Sequence, residues 1–104
     1  MSEEERYKLV YKVIKWGQDK GLNDSKAQLN KVIEEVGEIA HEVTRNNISD
    51  NPALADAIGD SVVTLIILAN ICGYDFYDCL AGAYKEIVGR KGKTENGTFI
   101  KEDN

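Results

Sequence analysis

The sequence predicts an all-α protein, a helical bundle of about four helices that ends in a short extended C-terminal tail. Proline occurs once in 104 residues, at Pro52, whereas an all-β fold needs many turns. Apolar residues recur at helical spacing over most of the chain. The length fits a single domain over residues 1–104, and 42% hydrophobic with 30% charged residues is a globular composition.

The first two helices have start and stop signals. The first runs from Ser2 to about Lys20, because a Ser cap followed by three glutamates suits the positive end of a helix dipole. The second begins at Asp24 or Ser25, reaches about Arg45 and is ended by Asn46-Asn47. It has one apolar stripe, as is typical of a helix that faces a core. The stripe consists of Leu29, Val32, Ile33, Val36, Ile39, Ala40 and Val43.

The third helix, from about Pro52 to Cys72, is apolar nearly all round after Asp60. A helix that is apolar on every side must be buried on every side, so this one is either central or covered by a partner subunit. We therefore expect at least a homodimer, held by a helix–helix interface of the obligate type. The sequence leaves homodimer and homotetramer open.

The fourth helix begins at Asp75 or Asp78 and reaches about Gly89. A basic run and the turn signal Asn96-Gly97 follow it, before an extended tail around Phe99-Ile100. The residues expected to point inward from this helix are Leu80, Ala83, Tyr84 and Ile87.

Charge and hydropathy exclude several classes of protein. A net charge of −5 argues against a nucleic-acid groove, which needs a basic surface. The acidic N-terminus opposes a secretory signal, and the longest strongly apolar stretch, Ser61 to Cys72, is shorter than the ~20 residues of a membrane span. We expect a cytoplasmic protein that binds neither membrane nor nucleic acid, with Cys72 and Cys79 as buried free thiols.

The second helix has an acidic face made by Glu34, Glu35, Glu38 and Glu42, which lie within about 100° of one another on the helix surface. Taken alone, this is the ordinary pattern of a solvated face. Like charges at these spacings repel by a few tenths of a kcal/mol per pair, so a bound cation would stabilise the cluster.

The third helix adds Asp56 and Asp60, which top a stripe continued by Val63, Ile67 and Ile71. Half-buried carboxylates are costly unless paired, and no Lys or Arg occurs between Arg45 and Lys85. Capping of the helix dipole is an alternative that explains Asp56 better than Asp60. A metal site shared by the two helices explains both, and its all-oxygen ligand set favours Mg²⁺ or Mn²⁺ over zinc.

A di-iron site is a further alternative, because the run from Glu38 to His41 is a Glu-x-x-His motif. Such a site needs two of these motifs, and His41 is the only histidine in the chain. We expect His41 to be exposed or to act in capping.

Glu34-Glu35-Val36-Gly37-Glu38, followed by Asp56-Ala57-Ile58-Gly59-Asp60, resembles the MazG-like nucleoside triphosphate pyrophosphohydrolases. That all-α family has Glu-Glu-x-x-Glu on one helix and Glu-x-x-Asp on the next. The likeness extends from about Trp16 to Glu102. It includes Gln28 and Lys31 before the acidic motif, then Lys85-Glu86-Ile87, Arg90-Lys91-Gly92-Lys93 and Gly97-Thr98-Phe99.

The resemblance implies an oligomer that uses Mg²⁺ to hydrolyse nucleoside triphosphates to the monophosphate and pyrophosphate. It implies metal ligation by Glu35 and Glu38, with Glu34 as a ligand or as the base that activates water, and it matches Asp60 to the family's aspartate. The family glutamate before that aspartate is Ala57 here. Asp56 faces nearly the same way on a helix and is a substitute, which leaves the number of bound metals open.

Substrate-binding residues follow from the chemistry of a polyanion with a base. Candidates to hold the phosphates are Lys31, Lys85, Arg90, Lys91 and Lys93. Trp16 is the candidate for stacking on the base, and Gln28 or Asn70 for reading its edge. The alternatives are solvated cations and a tryptophan that anchors a core or an interface.

Two other functions remain open at the level of sequence. One is a phosphoribosyl-ATP pyrophosphohydrolase, which belongs to the same broad all-α group. The other is a non-catalytic oligomerisation or nucleotide-binding module, which the Ala57 departure keeps open. The leading hypothesis is a Mg²⁺-dependent pyrophosphohydrolase that acts on an NTP or dNTP, with control of a dNTP pool as one setting.

Overall fold

The computed structural model describes residues 1–45 and 47–102, and within these ranges the chain forms four helices and one β-hairpin. This confirms the all-α class with an extended tail. Asn46, expected at the end of the second helix, lies outside the described residues. The elements are α1 (Glu3–Asp19), α2 (Ser25–Arg45), α3 (Pro52–Ile71), α4 (Phe76–Val88), β1 (Gly92–Glu95) and β2 (Thr98–Lys101).

Each helix begins where a polar side chain satisfies the free backbone N–H groups of the first turn. Ser2, Asp24, Asn51 and Asp75 each accept a hydrogen bond from a backbone N–H two or three residues further on. At Ser2 the bond is reciprocated by Glu5, which completes a capping box. These local rules explain why the predicted helix starts are confirmed.

Helices α2 and α3 form an antiparallel pair. Gln28 at the start of α2 donates to the backbone of Thr64 late in α3, and Glu42 near the end of α2 accepts from Asn51 at the start of α3. The half-buried or buried positions of α2 are Gln28, Val32, Glu35, Ile39 and Glu42. This spacing alternates between three and four residues, as in a helix seam.

The described part of the chain has only three buried apolar residues, Ala57, Ile66 and Ile67, which are 6%, 4% and 4% exposed. Helix α1 reaches this centre through Gly17, where an added Cβ would lie 3.2 Å from the side chain of Ile67. Glycine therefore lets α1 approach α3 closely. The core of one protomer is too small to account for the apolar content of the chain.

The apolar stripe of α2 is mostly not part of that core. Leu29, Ile33, Val36 and Val43 are about half exposed or more, because the seam toward α3 runs along the side of α2 between the stripe and the acidic face. Only Val32 and Ile39 are shielded. The stripe is continuous, as the sequence indicates, but its larger part faces away from the protomer.

Helix α4 also departs from the expectation. The inward placement of Leu80, Ala83, Tyr84 and Ile87 is wrong for the protomer, since all four are exposed. The reason is that α4 is attached at its N-terminal end, where Phe76 and Tyr77 are half-buried. Tyr77 stacks on Tyr7 with the ring centroids 5.2 Å apart, and its hydroxyl donates to the Tyr7 carbonyl oxygen.

Residues 78–102, the rest of α4 and the hairpin, are all exposed, and we call this segment the arm. The hairpin is antiparallel, pairs Gly92 with Lys101, and turns at Asn96 and Gly97, both with positive φ. Cys72 and Cys79 are free thiols, but both are exposed rather than buried. The reason is that the end of α3 and the arm have little of the protein packed against them.

Helix α3 is the one described helix that is long and apolar enough to cross a membrane, judged by length and composition alone. Its mean hydropathy is 1.7, and 28% of its most apolar stretch is buried within the protomer. The central helix of a soluble protein has the same composition, so this property does not by itself identify a membrane span.

Candidate active site

Six carboxylates from α2 and α3 line one cavity of about 360 Å³. The acidic face of α2 lies beside the seam with α3, at the side on which α3 presents its two aspartates. Ala53 and Ala57 form the remaining wall. The carboxylates, which we call the acidic cluster, are Glu34, Glu35, Glu38, Glu42, Asp56 and Asp60.

The carboxylates differ in their exposure. The side chain of Glu35 is 16% exposed, whereas that of Glu34 is 62% exposed. Asp56 and Asp60 are exposed, so the expected half-burial is wrong. The reason is that the seam of α3 uses Ala57 and Ser61, the residues next to them, which leaves both aspartates at the open side of the cavity.

Positive charge at the acidic cluster comes from Lys31, the one basic residue among the described residues that line it or the adjoining cavity. Its Nζ lies 3.3 Å from Glu34 Oε1 and 3.7 Å from Glu35 Oε1. The hydrogen bond to Glu34 and the charges of both glutamates raise the pKa of Lys31 above its ordinary value of 10.5. Lys31 is therefore charged at every pH near neutrality.

Within the described residues, three other carboxylates of the acidic cluster have no positively charged partner. The side chains of Glu38, Asp56 and Asp60 make no hydrogen bond or ion pair with any residue in 1–45 or 47–102. Three like charges around one cavity repel one another in the absence of a cation. A bound cation would reduce this repulsion.

The donor set fits a hard divalent cation, because it consists only of carboxylate oxygens. Within the described residues, however, no three Asp, Glu, His or Cys side chains converge closely enough to hold a metal ion together. His41 is exposed, as predicted, and is not among the residues lining the cavity.

A second cavity of about 520 Å³ adjoins the first and shares Glu35 and Asp60 with it. We call it the apolar cavity. Trp16 forms one wall and is 52% exposed, so it is not enclosed in the core of the chain. The remaining lining residues are Leu22, Ala27, Gln28, Lys31, Val63, Thr64 and Ile67.

Two buried polar side chains lie in the wall of the apolar cavity. Gln28 is 6% exposed, and its Nε2 donates to the backbone oxygen of Thr64 at 3.1 Å. Thr64, also 6% exposed, donates its hydroxyl hydrogen to the Ser61 carbonyl oxygen at 2.7 Å. Both side chains are therefore held in fixed orientations by the backbone of α3.

Of the predicted substrate-binding residues, the structure brings Trp16, Gln28 and Lys31 together at the apolar cavity. Asn70 lines a different, smaller cavity, which shares Leu22 with the apolar cavity. Sequence reasoning missed Thr64 and Ser61. The signal was a run of small and polar residues at helical spacing in an otherwise apolar helix.

The predicted phosphate-binding residues of the arm do not line either cavity within their own protomer. Arg90 pairs with Glu86 at 3.3 Å, and Lys93 pairs with Glu95 at 3.0 Å. Lys85 and Lys91 have no ion-pair partner in the described part of the chain. These four cations are all exposed.

The fold and the site define an all-α protein in which two antiparallel helices hold a carboxylate cavity beside an apolar cavity. The family model of the MazG nucleotide pyrophosphohydrolase domain matches residues 23–93, more than half of the chain, and the chain belongs to this family. The matched range contains all of α2, α3 and α4. Membership supports a pyrophosphohydrolase that acts on a nucleotide. No curated protein and no solved structure matches the chain.

Proposed function

We propose that this protein is a Mg²⁺-dependent nucleoside triphosphate pyrophosphohydrolase that cleaves an NTP or dNTP to the monophosphate and pyrophosphate. The observation that carries the proposal is the acidic cluster of α2 and α3, which opens into the apolar cavity in a chain of the MazG family. One cavity has the chemistry for cation and phosphate, and the other has the size and lining for a nucleoside.

The metal ligands in this proposal are Glu35, Glu38, Asp56 and Asp60, which line one cavity. A Mg²⁺ ion held there would neutralise phosphate charge and lower the pKa of a bound water. Asp56 takes the place of the family glutamate that is Ala57 here, and both residues line the cavity. Mn²⁺ has the same preference for oxygen ligands and is expected to substitute.

Glu34 and Lys31 act together at the edge of the cluster. Glu34 is exposed and its carboxylate accepts a hydrogen bond from Lys31, which orients one carboxylate oxygen at the edge of the cavity. In this proposal Glu34 takes a proton from an attacking water. Lys31 lines the apolar cavity beside Glu35 and Asp60, and in this proposal it contacts the phosphates of the nucleotide next to the nucleoside.

The base and sugar occupy the apolar cavity in this proposal. Trp16 is the stacking surface, because an aromatic face attracts any base and its ring is half exposed. Gln28 is the polar group that contacts the base edge. The opposite end of the nucleotide then points toward the acidic cluster through the shared residues Glu35 and Asp60.

We further propose that a second copy of the chain completes the site. The outward faces of α2 and α4 are apolar and exposed, which is the composition of an obligate helix–helix interface. Three cations of the arm, Lys85, Arg90 and Lys91, do not line the cavities of their own protomer. In the homodimer or homotetramer they would hold phosphates in the neighbouring copy.

The test is incubation of the purified protein with ribo- and deoxynucleoside triphosphates, with and without Mg²⁺, followed by identification of the products. We expect monophosphate and pyrophosphate in equal amounts, formed only with the metal. Diphosphate and inorganic phosphate would contradict the proposal. Binding of nucleotides without turnover would favour a non-catalytic module. A cytoplasmic role in control of a nucleotide pool stays a prediction.

A further inference from the structure

We infer that the apolar cavity selects bases that carry an exocyclic amino group, cytosine and adenine, over the corresponding keto bases, and that Gln28 is the specificity-determining residue. The inference rests on the proposed function only in taking a nucleotide as the ligand of this cavity. It adds the class of base, which family membership does not determine.

The orientation of the Gln28 amide is the first observation. Its Nε2 donates to the Thr64 backbone oxygen, in a hydrogen bond that is buried. The amide nitrogen is therefore the atom that faces α3, and a reversed amide would place two oxygens against each other. Oε1 is left as the free end of a side chain that is 94% buried, since Gln28 is 6% exposed.

Access to that oxygen is the second observation. Oε1 of Gln28 accepts no hydrogen bond from any residue in 1–45 or 47–102. No buried side-chain N or O atom in these ranges lacks a partner. Oε1 must therefore be open to solvent, and the open space that Gln28 lines is the apolar cavity.

The Thr64 hydroxyl is the third observation. It donates its single hydrogen to the Ser61 carbonyl oxygen at 2.7 Å, so it can take part in a further hydrogen bond only as an acceptor. Gln28 Oε1 and Thr64 Oγ1 are thus both acceptors on residues that line the cavity. An amino group brings two N–H donors to such a surface, whereas a keto oxygen in the same place brings none.

Nucleotide pairs that differ at this one group test the inference. Trp16 is the single tryptophan and lines the cavity, so its fluorescence reports binding directly. We would titrate the protein with CMP against UMP, and with AMP against IMP. We expect the amino member of each pair to bind at least about fivefold more tightly, because a bound keto base covers the Gln28 oxygen and offers it no donor.

Variants assign the preference to Gln28. Gln28→Met is expected to bring each pair to within twofold, while Gln18→Met, the same change at a residue that lines a different cavity, keeps the preference. If Gln28→Met does not fold, as judged by circular dichroism, the wild-type comparison decides the matter alone.

The possible outcomes separate this inference from the proposed function. Equal binding within the pairs, tighter binding of UMP and IMP, or no binding of any monophosphate by fluorescence and calorimetry would overturn the inference. Triphosphate turnover could persist in each of these cases and the proposed function would stand. Selective binding of CMP and AMP without triphosphate hydrolysis would uphold the inference and contradict the proposed function.

Discussion

Individual carboxylates at the acidic cluster differ in their surroundings, and the differences suggest their roles. Glu34 and Glu35 are both paired with Lys31, whereas Glu38 has no partner for its side chain within the described residues. A carboxylate that makes no ion pair within the protein gives up no existing interaction when it binds a metal ion. Glu38 shares this property with Asp56 and Asp60, and its charge should matter to metal binding.

Replacing Glu38 by glutamine removes that charge and leaves the shape almost unchanged. We expect Glu38→Gln to lower kcat at least about 100-fold, because one ligand of a catalytic metal is lost. The rise in melting temperature that millimolar Mg²⁺ causes in the wild type should disappear too, since binding to the folded state alone produces it. Turnover and thermal melts with and without Mg²⁺ are the measurements.

The control is Glu3→Gln, which removes the same charge from an exposed glutamate in the first turn of α1. It should keep kcat and the effect of Mg²⁺ within twofold of the wild type. Near wild-type turnover in Glu38→Gln would show that the acidic cluster has been assigned wrongly.

Lys31 keeps its positive charge beside the acidic cluster over a wide pH range. Its pKa is raised in the folded state by the hydrogen bond to Glu34 and by the nearby carboxylates. A raised pKa means that the contribution of the Lys31 charge to folding is fully present at neutral pH and is lost only as the pH rises through the raised pKa. Lys31 therefore keeps its charge throughout the neutral range.

At the scale of elements, the helices could be predicted from sequence because their determinants are local. Ser2, Asn51 and Asp75 cap the helices that follow them, and Asn96-Gly97 forms the hairpin turn. Local hydrogen bonds and backbone preferences decide these boundaries, so a single sequence contains the information. The acidic cluster could be anticipated for the same reason, since helical spacing places its members on common faces.

The partner of each helix face could not be predicted in this way. The seam between α2 and α3 includes Gln28, Glu35 and Glu42, and no hydrophobic pattern identifies a seam with three polar members. The apolar stripe of α2 therefore looked like the core face, although its larger part points outward. Hydrophobicity shows that a face must be covered, but not by what.

The outward stripe of α2 leads to a prediction about assembly. Ile33 is 60% exposed in the protomer, and a charge placed there would be buried without a partner if a second copy covers it. We expect Ile33→Asp to yield monomers by light scattering and to lower the melting temperature by about 10 °C or more. It should also lose turnover, because the arm of the second copy is removed.

Tyr11→Asp is the matched control, since Tyr11 is 67% exposed on α1 and lies outside this stripe. We expect it to keep the mass of the wild-type assembly and most of its turnover. A wild-type protein that is monomeric would contradict the proposed assembly. A fully active Ile33→Asp monomer would show that the arm is not needed from a neighbour.

The whole molecule is more open than a folded single domain of its length. Its radius of gyration is 16.3 Å, against about 13 Å expected for a compact chain of this size. The arm extends from the helices, and an isolated two-stranded hairpin is only marginally stable in water. This shape supports the proposed assembly, in which a second copy covers the apolar faces of α2, α3 and α4.

The net charge of the whole molecule affects the binding of a triphosphate. The chain has a net charge of −5, and the acidic cluster concentrates negative charge at the place where a triphosphate must bind. A polyanion is attracted only if cations screen that charge. The positive charge comes from the proposed Mg²⁺ ions, from Lys31 and from the arm of a second copy. We therefore expect no binding of triphosphates to the metal-free monomer.

In the proposed reaction, water attacks the α-phosphorus of a nucleoside triphosphate at the acidic cluster. The most direct test is hydrolysis in ¹⁸O-labelled water with Mg²⁺, followed by mass spectrometry of both products. We predict one ¹⁸O atom in the nucleoside monophosphate and none in pyrophosphate. Label in pyrophosphate would place the attack on the β-phosphorus, and labelled inorganic phosphate with unlabelled diphosphate would place it on the γ-phosphorus. Either result would contradict the account.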